Sequence, residues 1–305
     1  MAGTATGLTV VQLLADGRWT ALALLLLAAA VPAVLVAARQ PADRPGALPV
    51  AVGCVTGSVL LAEADGALSP GWGGPLLLTL AVIALATASL ERHHRAELPL
   101  AVSAVLVGLL AVGHAGRNGD LPPSALALAV LGAALVGYAS RTGRNPARAG
   151  GCAALALAAW VLAASAETLL PETYTLPLAA VLLLYSGRRL ATAPSWSSWG
   201  PAVLTAYVPS VVLALVEPDL LRVVLVVVAA TLTTIAATGW GVRAPFLVGA
   251  GSLVTVAVGR LVAVLPAPGL VTVAVAGALL LTVGASYESR RRQAREAIAS
   301  LADMR

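Results

Sequence analysis

"WTALALLLLAAAVPAVLVAA", residues 19–38, runs without a single charge and stops against Arg39. A bilayer core of roughly 30 Å is crossed by a helix of about 20 apolar residues, so this stretch alone reads as a membrane span. The residues leading into it, "MAGTATGLTVVQLLADGRWT", offer neither a basic start nor a small-residue cleavage site, which marks a retained span rather than a signal peptide.

Outward from that run the same pattern recurs. Apolar stretches bounded by charge, proline or glycine lie at residues 48–61, 72–90, 98–113, 123–140, 150–166, 174–187, 199–216, 220–238, 244–264 and 269–286. Hydrophobic residues make up 59% of the 305 and charged residues only 11%, against about one quarter charged in a soluble domain. The expected fold is an all-α, polytopic transmembrane helix bundle of about 11 spans over residues 1–286. The second and seventh runs are short, and ten spans is the alternative count.

Arginine fixes the expected orientation. All 19 basic residues are arginine, a codon bias of a GC-rich genome. Odd-numbered loops carry Arg39, Arg44, Arg92, Arg95, Arg141, Arg144, Arg148, Arg188, Arg189 and Arg243; even-numbered loops carry Arg117, with Arg222 at a span edge. The even loops hold the acids Glu63, Asp65, Asp120, Glu167, Glu172, Glu217 and Asp219. Because arginine accumulates in short cytoplasmic loops, the N-terminus is expected outside and the C-terminus inside, which requires an odd span count. Trp19 and Trp72 would mark the outer interface, and Tyr138, Tyr185, Trp196, Trp199, Trp240 and Tyr287 the inner one.

One charge interrupts the tenth run, Arg260 in "VTVAVGRLVAVLP". It falls one to two turns from the outer end, where it can snorkel to the head groups. The sharper expectation is that it faces the bundle and pairs with an outer acid, so that Arg260, Arg222, Glu217, Asp219, Glu167 and Glu172 form an outward-facing polar site. His93 and His94 read as a solvated loop, and His114 as an interfacial polar residue beside Arg117 and Asp120. Cys54 and Cys152 read as apolar packing residues. No catalytic, cofactor or metal site emerges, and no phosphate-binding loop of the G-x-x-x-x-G-K type is present.

The tail, residues 287–305, carries Arg290, Arg291, Arg292 and Arg295, and Ala294, Ala297, Ile298, Leu301 and Met304 recur at three- and four-residue spacing. That is an amphipathic helix for the anionic lipids of the inner leaflet. Partners expected are the bilayer itself and a membrane-protein partner or second copy, with no nucleic acid.

From residue 167 onward, "ETYTLP", "YSGRRL", "RAPFLVGAG" and "GASYESRRRQ" resemble a group of multi-pass membrane proteins of actinomycetes, especially streptomycetes. Longer members carry a cysteine-rich ribbon ahead of the membrane region, which this sequence lacks. The resemblance implies an integral membrane location and no particular activity. With every loop within about a dozen residues, a structural or assembly component of the plasma membrane and a small-molecule or lipid permease rank ahead of a membrane-embedded transferase acting on lipid-linked substrates.

Overall fold

The structure, a computed structural model, describes residues 19–264 apart from 70, 92, 93, 118, 168, 169 and 218. The expected eleventh run, residues 269–286, the tail arginines Arg290, Arg291, Arg292 and Arg295, and Tyr287 and His93 lie outside the described residues. Those described form helices joined by turns, with no strand among them. Two units divide the chain, Met1–Thr168 and Leu169–Arg305.

The first unit holds α1 (Trp19–Arg39), α2 (Arg44–Ala64), α3 (Gly73–Leu90), α4 (Glu97–Ala115), α5 (Leu121–Thr142) and α6 (Asn145–Ser165). Consecutive helices pair as three antiparallel hairpins, α1 with α2, α3 with α4, α5 with α6. The α3/α4 hairpin also touches α2 and α5 and so forms the centre. Its core is a stripe of Leu77, Ala81, Ala84, Leu85 and Ala88 against Leu100, Ala104, Val107 and Ala111, closed by Leu131 and Leu135 of α5. Three- and four-residue spacing puts each set on one helix face. Alanine at the contacts lets the backbones approach closely, the packing mode helices use when lipid supplies no hydrophobic drive between them. At the α5/α6 contact a Cβ added to Gly132 or Gly151 would lie 2.8 Å from the other's carbonyl oxygen.

The second unit holds α7 (Glu172–Ser186), the short helices α8 (Arg189–Thr192) and α9 (Ser195–Ser198), α10 (Gly200–Val216), α11 (Leu220–Trp240) and α12 (Arg243–Val264). Here α12 packs on both α10 and α11, while α7 packs on α10. Gly241 closes α11 in the left-handed conformation, φ 64°, its N–H bonding back to Thr238 at 3.3 Å. Gly249 allows the α11/α12 approach, since a Cβ there would meet Thr234 Oγ1 at 2.5 Å.

Among the described residues, eight helices are long and apolar enough to cross a membrane. Leu24, Ile83 and Leu126 are more than half exposed, as lipid-facing apolar side chains would be. The second run proves longer than residues 48–61 suggested: α2 takes 21 residues because Pro45 fits its first turn and Arg44 starts it. The Arg44 Nε–H donates to the carbonyl of Ala37, 2.9 Å away, at the end of α1. The seventh run stays short, a helix of 15 residues, about 22 Å.

Candidate functional site

Charged groups in the first unit gather at its two ends. At one end Asp65 accepts from the Thr20 N–H at 3.0 Å, and Glu63 meets His114 Nε2 at 2.7 Å with both side chains almost buried. Gly73 leaves room for this pair, because a Cβ there would fall 2.0 Å from a Glu63 oxygen. At the other end Arg44 bonds Glu91 at 2.7 Å, and Glu97, 4% exposed, accepts from Arg144 Nε at 2.6 Å and from the Tyr138 hydroxyl at 2.7 Å. The hydrogen bond and charge of Glu97 raise the Arg144 pKa further above its usual value. Tyr138 is therefore a buried hydrogen-bond donor to a carboxylate rather than the interfacial anchor its position suggested. Cys54 and Cys152 are free thiols, the second buried.

Four of the six outward-site residues cluster in the second unit. Arg222, its side chain 12% exposed, is held between Glu172, 3.2 Å from Nε, and Glu217, which bonds Nη1. The helix starts explain this: Glu172 opens α7, Arg222 stands in the first turn of α11, and Glu217 directly follows α10. Arg260 completes the group through a main-chain contact. Its Nη2 donates to the Glu217 carbonyl at 3.3 Å, not to a carboxylate, and its Nε is buried without an acceptor. One oxygen of Glu172, Oε2, is likewise buried without a donor. Asp219 caps α11 by accepting from the Leu221 N–H at 3.0 Å. Glu167 belongs to the first unit, where it adopts φ 50° after α6.

Sequence reasoning missed the groove that begins at this cluster. About 790 Å³ in volume, it runs between α7 and α11 over α10 and is lined by Glu172, Asp219 and Arg222 at its mouth and almost wholly by apolar side chains below. Leu176, Leu225 and Leu232 on its walls are more than half exposed, so one side is open. Partway along, the Tyr207 hydroxyl and Thr233 Oγ1 bond at 2.6 Å between α10 and α11. At the far end Trp199 and Trp240 lie 5.9 Å apart, and Trp199 Nε1 donates to the Leu190 carbonyl at 3.0 Å. The one sequence signal for it is the small-residue face Ala202, Ala206 and Ser210 opposite Ala229, Thr233 and Ala236, hidden in an alanine-rich background.

Among the described residues, no group of three or more His, Cys, Asp or Glu side chains could hold a metal ion. His94 Nδ1 instead accepts from the Ala96 N–H at 3.2 Å within its own loop. All of this defines a helical membrane protein of many apolar helices. No protein family, curated protein or solved structure matches the chain.

Proposed function

We propose that the chain is a non-enzymatic structural or assembly component of the plasma membrane, with eleven spans, its N-terminus outside and its C-terminus inside. The observation that carries the assembly reading is the interior of the first unit. Leu77, Ala81, Ala104 and Ala111 are wholly or almost wholly buried, and its ion pairs sit at the helix ends, so a solid apolar core fills the space a polar conduit would need. The outside N-terminus is supported by the gathering of Arg44, Arg141 and Arg144 at one end of that unit and of Glu63, Asp65 and His114 at the other. The resemblance of the C-terminal half to actinomycete multi-pass proteins supports the same location. The tail's Arg290, Arg291, Arg292 and Arg295 would hold the inner leaflet's anionic lipids at about 1 kcal/mol each.

Reporter fusions after Gly66 and after Arg188 test the topology: an external signal at the first and an internal one at the second are expected, and equal signals would overturn it. The assembly reading is tested by solute flux. Purified chain in proteoliposomes is expected to leave small-solute permeability unchanged. A saturable flux abolished by Arg222→Leu would replace it with the permease reading, which the groove of the second unit favours.

A further inference from the structure

The groove between α7 and α11 is a built site rather than a gap in loose packing. Its lining follows α11 from Leu221 to Trp240, about 28 Å at the helical rise, close to the full depth of a bilayer core. The volume is within the range of small-molecule and cofactor sites, and a mouth of fixed charges over an apolar trench matches an amphiphile. The Tyr207–Thr233 hydrogen bond crosses it about 16 Å below Arg222, near the depth of one leaflet. Beyond that bond, the Trp199–Trp240 pair bounds the other end.

Charge at the mouth selects the head group. Of the charged groups that line it, two carboxylates, Glu172 and Asp219, accompany one guanidinium, Arg222, leaving one negative charge in excess. Arg222 is already matched by two acids, so a purely anionic head group would meet an occupied cation and a surplus of carboxylate. One need remains open on its lining: Glu172 Oε2 lacks a donor. Buried polar atoms left this way cost free energy that a ligand can recover. A molecule offering an ammonium to Glu172, with its phosphate beside Arg222, meets that need, and an ammonium brings N–H donors that a quaternary amine does not have.

We infer that this groove binds one aminophospholipid, phosphatidylethanolamine in chemistry, with its ammonium on Glu172 and an acyl chain along Leu176, Leu225 and Leu232. Under the proposed topology the lipid comes from the outer leaflet; the binding itself does not depend on that topology or on the assembly role.

The test is native mass spectrometry of the full chain, stripped of lipid in detergent and offered equimolar phosphatidylethanolamine, phosphatidylcholine and phosphatidylglycerol with identical acyl chains. The parent is expected to retain one phosphatidylethanolamine at least about tenfold over phosphatidylcholine, the equivalent of one charge-assisted hydrogen bond, with phosphatidylglycerol weakest. Glu172→Gln should erase the preference while keeping the lipid. Ala229→Phe, from an exposed position on the groove wall where the ring meets open space, should remove retention of all three, and Ala236→Phe should do the same. Preference for phosphatidylglycerol, or selectivity unchanged in Glu172→Gln, would overturn the head-group assignment. Retention unaffected by both phenylalanine variants would overturn the groove, as would a parent that holds no lipid and runs as a dimer, with a second copy filling it.

Discussion

The two units are built from the same residue types and reach opposite ends. In the first, a wide set of side chains from α2 to α5 forms one buried cluster, with alanine at most close contacts. In the second, the buried cluster among the described residues is Val211, Ala214, Val226 and Val256, and the wall leucines stay exposed. Ion pairs follow the same division. Those of the first unit tie helix ends in pairs, whereas Arg222 in the second gathers two acids at the mouth of an open groove. In a membrane neither arrangement gains from expelling water between helices, so small-residue fit decides which contacts close. Where small residues meet across helices the bundle is solid, and where α7 and α11 stand apart over α10 a groove stays open.

Substitutions can break this contrast. The largest loss is expected for Gly132→Val, because its new carbon atoms have no room against α6; about 3 kcal/mol of stability should disappear, read as a lowered Tm in detergent. Glu97→Ala comes next: the buried Tyr138 hydroxyl loses its acceptor, a cost of about 2 kcal/mol, which Glu97→Gln should partly restore. Arg222→Leu releases two carboxylates that are partly solvated, and about 1 kcal/mol is expected. Arg260→Leu should cost less than Arg222→Leu, since it removes one long bond to a carbonyl; the reverse order, measured by the same Tm series with Arg260→Lys beside it, would restore the direct pairing to an acid.

Much of the helical layout was legible because most apolar runs are near the bilayer's length and end in charge, as with residues 19–38 against Arg39. The limits of α2 were hidden by Pro45 and Pro49, which punctuate a sequence but are tolerated near a helix start. Side-chain partners were less legible. Glu63 and His114 stand 51 residues apart, and nothing in either neighbourhood says that they meet. Arg222 looked like an edge residue and Arg260 like the centre of the outer site; their roles are reversed because the first turn of α11 faces α7. The groove's small-residue faces were lost in the alanine-rich background, since alanine reads the same whether a neighbouring helix covers it or a trench does.

The contrast between a sealed and an open unit is tested most directly by placing the same bulky residue in each. Ala104 is fully buried in the centre of the first unit, and Ala229 is exposed on the groove wall of the second. Thermal unfolding of Ala104→Phe and Ala229→Phe in one lipid–detergent mixture should give a Tm many degrees below the parent for the first and within about a degree for the second, because only the first forces a packed core apart. Equal losses in the two variants would contradict the account.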